Sequence, residues 1–188
     1  MLQDEVKKAV EVMRRGGVIL YPTDTVWGIG CDATNEEAVR RVYDIKQRAG
    51  SKALICLVDS EARLSRYVRR VADVVWNLIE LSTKPLTVVF DHAVGLAPNL
   101  LADDGSVGLR VTREEFSRQL CYRFQKPVVS TSANISGQPT PRTFSEISDE
   151  VKQAVDYVVH YSQQSKERHE PSSVVRVREN GEFTVIRQ

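Results

Sequence analysis

Between residues 3 and 15, Val6, Ala9, Val10 and Met13 recur at i, i+3, i+4 and i+7, the spacing of one helical face. Gly16-Gly17 predicts the end of that helix, because glycine accepts the left-handed conformation of a C-cap. Val18-Ile19-Leu20-Tyr21 reads as a short buried strand cut by Pro22. The next helix is predicted to open at Thr34, with Glu37 reaching back as the reciprocal cap and Ala38, Val39, Val42 and Ile45 turned inward. Ala53 to Val58 is apolar without alternation, which predicts a strand buried on both faces. Further helices are expected over 60–68, 71–81, 113–125 and 144–155, the last opened by Thr143 and Glu146. Leu86–Phe90, Val107–Val111, Pro127–Thr131, Tyr157–His160, Ser173–Val177 and Phe183–Arg187 read as strands, the final two joined by the turn signal Glu179-Asn180-Gly181. With no repeat and no long linker, this order predicts one α/β domain over 1–188: a twisted, mixed parallel and antiparallel sheet flanked by helices.

Composition narrows the chemistry. The 188 residues suffice for one sizeable core. Lys+Arg 26 against Asp+Glu 25 leaves a net charge of +1, so affinity for phosphate or nucleic acid must come from local clustering. No apolar run approaches the roughly 20 residues of a membrane span, and the first residues carry no signal-peptide core, so a cytoplasmic protein without membrane association is expected. Cys31, Cys56 and Cys121 are odd in number and widely spaced, as reduced thiols would be.

Four polar stretches stand where strands end, the place where open α/β sheets put ligands. In Tyr21 to Gly30, threonine hydroxyls and glycines accompany free backbone N–H groups, though an ordinary connecting loop has the same ingredients. Lys46, Arg48 and Lys52 could grip a polyphosphate, or Lys46 and Arg48 could complement a helix C-terminus. Ser130-Thr131-Ser132-Ala133-Asn134-Ile135-Ser136-Gly137 offers an array of donors for an anion, without the Gly-Lys-Ser/Thr of a P-loop. Pro171-Ser172-Ser173 and Arg187 flank the closing hairpin. Arg110 sits inside an apolar strand, so it must find a partner or face a cavity. His92, His160 and His169 form neither a metal pattern nor a triad. Cations, hydroxyls and backbone donors remain, a set suited to positioning anions and stabilising transferred phosphoryl charge.

Taken in order, Tyr-Pro-Thr-Asp-Thr-Val-Trp-Gly-Ile-Gly at 21–30, Lys-Gln-Arg at 46–48, Lys-Pro-Leu-Thr at 84–87, Gly-Leu-Arg-Val at 108–111, Ser-Thr-Ser-Ala-Asn-Ile-Ser-Gly at 130–137 and Pro-Ser-Ser-Val-Val at 171–175 resemble the YrdC/Sua5 family across nearly the whole chain. The resemblance implies a YrdC/RibB-like sheet with a concave cationic cavity and the short, single-domain form. It further implies a nucleotidyltransferase that condenses L-threonine, bicarbonate or CO2 and ATP, with Mg2+, into threonylcarbamoyl-AMP and pyrophosphate. That product serves the N6-threonylcarbamoyl modification of tRNA adenosine 37. By the same matching, Lys46, Arg48, Ser132 and Asn134 are the signature catalytic residues. Thr25, Arg110, Ser130 and Ser172 would surround threonine, and Arg48, Lys52, Ser106, Ser132, Thr140 and Arg187 would contact ATP. Implied partners are a downstream threonylcarbamoyl-transferase complex and tRNA or double-stranded RNA. The chain departs from the family at Ala49, at Ala53-Leu54, at Leu57 and at the terminal Gln188, where the family has Pro, Pro-Leu, a histidine in some members and Pro-Gly.

Two other readings stand beside this one. Cations near Arg40-Arg41, Lys46-Arg48 and Arg63-Arg70 would serve an RNA-binding module without chemistry if they formed a patch. A paralogue would keep the nucleotide site and take another acceptor.

Overall fold

A nine-stranded sheet, in the order β7-β1-β2-β6-β3-β5-β4-β8-β9, organises the chain. The strands are β1 (Ile19–Tyr21), β2 (Gly28–Gly30), β3 (Ile55–Val58), β4 (Leu86–Phe90), β5 (Val107–Val111), β6 (Val128–Ser132), β7 (Tyr157–Val158), β8 (Ser173–Val177) and β9 (Phe183–Arg187). The helices are α1 (Leu2–Arg14), α2 (Glu36–Lys46), α3 (Glu61–Leu64), α4 (Val74–Leu81), α5 (Glu115–Phe124) and α6 (Asp149–Ala154). This computed structural model describes residues 1–48, 54–167 and 169–188. The β1·β7, β3·β5 and β4·β8 pairs are parallel and the others antiparallel, so the sheet is mixed as expected. Among the described residues, no helix is long and apolar enough to cross a membrane.

Strand β6 joins the two halves. Its first residues pair with β3 through Ile55↔Ser130, and its last pair with β2 through Gly28↔Ser132. The predicted apolar faces reach the core: Val6, Ala9 and Met13 of α1 are buried, and α1 lies against α5. Cys56, Leu57 and Val58 are fully buried, as a strand covered on both faces requires. All three cysteines are buried free thiols.

Local hydrogen bonding corrects several boundaries. Asn35, not Thr34, caps α2: its side chain accepts the Ala38 N–H at 3.1 Å, while Thr34 gives both its N–H and its hydroxyl to Asp32 Oδ1 at 2.8 and 2.7 Å. The Thr34 oxygen already accepts from Lys126 Nζ at 3.2 Å while its hydrogen goes to Asp32, which leaves the side-chain oxygen of Asn35 as the better-placed acceptor. Asn35→Ala should therefore cost about 1 kcal/mol, lowering a thermal melt by roughly 2–4 °C; Thr34→Ala in the same assay reports the Asp32 turn instead.

The helix expected over 144–155 is split into a 3-10 turn at Phe144–Glu146 and α6, which Ser148 caps. Thr143 makes no capping bond and Glu146 accepts from the Arg142 N–H instead. Ile147, buried and extended, separates the two pieces. The helices expected over 60–68 and 71–81 are reduced to α3 and α4. The stretch 21–30 is a hairpin, because Gly28–Gly30 forms β2 antiparallel to β1. Two glycines around one isoleucine lack the side-chain signal of a strand.

Candidate active site

The sheet brings distant segments of the chain to one cavity of about 200 Å³. The loop after β1 contributes Thr25, the end of α2 Arg48, β5 Arg110, β6 Ser130 and Ser132, and the loop that follows Thr140; Ser172 and Arg187 come from the closing hairpin. These eight are residues singled out from the sequence. Val26, Leu54, Ile55, Thr131 and Pro171 complete the wall. A neighbouring cavity of about 450 Å³ shares Arg48 and Ser132 and adds Lys46 and Asn134. Among the described residues, neither wall carries a carboxylate.

Lys46 is only 3% exposed and reaches back from the last turn of α2 to the end of β6. Its Nζ donates to Ser132 O at 2.6 Å, Ser132 Oγ at 3.3 Å and Asn134 Oδ1 at 3.2 Å. Three acceptors use the three donors of an ammonium, so in this arrangement Lys46 influences a bound anion through charge and through the strand end it holds. Burial, with the like charge of Arg48, pulls its pKa down to about 8. Asn134 is fixed from its other side, donating to Ile135 O and Gln138 O at 3.2 and 2.7 Å.

Arg110 answers the demand its strand position makes. Its Nη2 donates to Thr25 Oγ1 at 3.2 Å, and its Nε lies 3.1 Å from Asp24 Oδ1. Burial lowers the Arg110 pKa and the Asp24 charge opposes that shift. Thr25 is held in turn by Thr23, whose Oγ1 takes the Thr25 N–H at 3.1 Å and donates to Val26 O at 2.7 Å.

Ser172 is clamped at two atoms. Arg187 gives Nε and Nη2 to its carbonyl at 3.0 and 2.8 Å, and its hydroxyl shares a 2.8 Å hydrogen bond with Thr87 Oγ1, which is fully buried. Asp24 and Thr87 lie inside quoted motifs, but only the folded geometry marks them as partners of Arg110 and Ser172.

Of the remaining expected ATP contacts, one is not described and the other lies apart from both cavities. Lys52, with the departures at Ala49 and Ala53, lies outside the described residues. Ser106 is buried just before β5 with its N–H on Asp104 Oδ1 at 3.0 Å, and it lines neither cavity. Its hydrogen bonds, with help from Arg176, hold the Asp104 pKa down to about 2.

The proposed RNA-binding patch loses charge to local partners. Arg40 pairs with Glu37 at 2.8 Å, Arg41 with Asp156 at 2.7 Å and the buried Arg63 with Asp59 at 2.9 Å.

Similarity to known proteins agrees with this geometry. The threonylcarbamoyl-AMP synthase of Vibrio cholerae is 35% identical over 191 residues, spanning 100% of this chain and 98% of that protein. Escherichia coli YciO has the same fold at a TM-score of 0.84 and 25% identity, over 99% of this chain and 89% of that one. P. abyssi Sua5 complexed with L-threonine matches with a TM-score of 0.79 at 23% identity, over 92% of this chain and 50% of that one, so this chain spans about half of that protein. The Sua5/YciO/YrdC family model, described as "Telomere recombination", matches residues 11–188. With five of the six motifs meeting at two adjoining cavities and the match running through almost every element of the sheet, the chain belongs to the Sua5/YciO/YrdC family.

Proposed function

We propose that this chain is a threonylcarbamoyl-AMP synthase, a nucleotidyltransferase joining L-threonine, bicarbonate or CO2 and ATP with release of pyrophosphate. The observation that carries the reading is the convergence of Arg48, Arg110, Ser130, Ser132, Ser172 and Arg187 on one cavity. The naming of its V. cholerae relative supports it.

The chemistry needs no side-chain nucleophile. The threonine amine adds to CO2 and loses a proton, giving a carbamate; a carbamate oxygen then attacks the α-phosphorus in line and pyrophosphate leaves. Arg110, Thr25, Ser130 and Ser172 hold the amino acid. Arg48, Ser132, Thr140 and Arg187, with Lys52 and Ser106 as further expected contacts, hold the nucleotide. The protein's contribution is then placement and charge compensation. Among the described residues no group of acidic, histidine or cysteine side chains could cage a metal. Mg2+ enters this reading as the counter-ion of substrate ATP, held mainly by its phosphates.

Mass spectrometry of the purified protein incubated with ATP, threonine and bicarbonate should detect threonylcarbamoyl-AMP, and omission of any one substrate should abolish it. Folded protein that makes no such product would overturn the assignment. Serine or another amino acid replacing threonine as the better acceptor would identify the paralogue.

The Thr87–Ser172 bond gives a sharper expectation. Thr87→Val leaves the Ser172 hydroxyl without its buried partner, so KM for threonine should rise on the order of 10-fold while KM for ATP stays within about 2-fold. Thr87→Ser should restore it. Equal changes in both KM values would place Thr87 in general stability instead.

A further inference from the structure

The cavity's charges are unevenly compensated. Arg48 and Arg187 line it, with Lys46 just behind Ser132, and the oxygens around Lys46 and Arg187 described above are neutral. Arg110 is different: only 2% exposed, it faces the carboxylate of Asp24, itself 11% exposed, at 3.1 Å. The Nε–H is not aimed at Oδ1, so neither buried atom has a hydrogen-bond partner among the described residues. A carboxylate in that position acts through its charge. The neighbouring Glu114 does not take that part, because its oxygens accept the Phe116 and Ser117 N–H groups at the start of α5.

A buried guanidinium without a counter-charge would be the strongest anion attractor in the cavity, since a low dielectric enlarges every Coulomb interaction. The reaction proposed above, on which this inference rests, must seat a zwitterion of zero net charge beside a polyanion. We propose that Asp24 is a specificity-determining residue: it neutralises Arg110, so that the part of the cavity Arg110 faces accepts an α-amino acid and refuses the polyphosphate drawn toward Arg48 and Lys46. Discrimination then comes from a repulsive element as much as from attraction.

The test is a gain of binding, which damage to the fold does not produce. Inorganic tripolyphosphate titrated calorimetrically into the wild-type protein should fill one site, and Asp24→Asn should create a second. Asp24→Ser is an independent neutral variant with the same expectation. Adding Arg110→Met to either should return the count to one. In steady-state kinetics tripolyphosphate should compete with ATP alone in the wild type and with both ATP and threonine in Asp24→Asn, whose KM for threonine rises at least about 10-fold. A single unchanged tripolyphosphate site in both neutral variants, or a second site that survives loss of Arg110, would overturn the proposal. The calorimetry reads this without turnover, so a wild-type protein that makes no threonylcarbamoyl-AMP would remove the reaction assigned above and leave the Asp24 result to be judged by itself.

Discussion

Lys46→Met should lower kcat/KM for ATP on the order of 10²-fold or more, the usual consequence of removing a preorganised charge from a reacting anion. The lysine sits behind Ser132 and Asn134, so its loss removes a positive charge and releases the strand end that presents both side chains. Its pKa of about 8 adds a pH signature. Below pH 8 the free enzyme carries the ammonium; above it, kcat/KM for ATP should fall toward one decade per pH unit, because that parameter follows the free enzyme's protonation. Lys46→Met should lose this inflection.

Stability has a sign of its own. Lowered from 10.5 to about 8 on folding, Lys46 disfavours the folded state by roughly 3 kcal/mol wherever it is protonated, an effect that fades as pH rises between those two values. Removing the charge offsets the cost of leaving Ser132 O and Asn134 Oδ1 without their donor, about 1–3 kcal/mol for each. The variant should therefore melt near the wild type while losing activity. A pH inflection retained in Lys46→Met, or a rate within a few-fold of wild type, would show that neither the charge nor the strand end matters.

The site was legible in the sequence where chemistry and position coincide. Hydroxyls and cations at strand ends mark themselves, because a buried strand running into Ser130-Thr131-Ser132 has no packing reason for those side chains. Arg110 was legible for the same reason, as a charge in an apolar strand. Its counter-ion was not. Asp24 reads as one polar residue among several in a loop, and only the turn through Thr23 and Thr25 sets it against Arg110. Thr87 has no polar neighbour in sequence to single it out, since its partner Ser172 is 85 positions away. Local competition hid the caps: Thr34 is a good N-cap residue by type, and Asp32 two positions earlier takes its hydroxyl. Strand β2 was hidden because it carries two glycines, one of which, Gly30, is there for lack of space, and a propensity argument reads them as the absence of a strand.

That lack of space makes Gly30→Ala the most damaging small substitution expected outside the cavity. A Cβ at Gly30 would lie 2.5 Å from Tyr21 Cε1 and closer still to the carbonyl oxygen of Val129. Neither neighbour yields easily. Tyr21 is fully buried with its hydroxyl bonded to Val129 O at 2.9 Å. Val129 pairs with Cys56 of β3 and gives its N–H to Cys31 O at 2.9 Å, so relief requires moving β6 itself. Overpacking against backbone should cost about 3 kcal/mol or more, lowering the melting temperature on the order of 10 °C. Because β6 carries Ser130 and Ser132 into the cavity, the variant that remains folded at low temperature should also lose activity beyond its unfolded fraction. Gly28→Ala is the matched comparison: its Cβ would meet Ser130 Oγ at 3.1 Å, the end of a side chain rather than backbone. It should disturb the cavity while leaving the melt within about 4 °C of wild type. If Gly30→Ala melts no lower than Gly28→Ala, β6 is not the rigid wall that holds Ser130 and Ser132 in place.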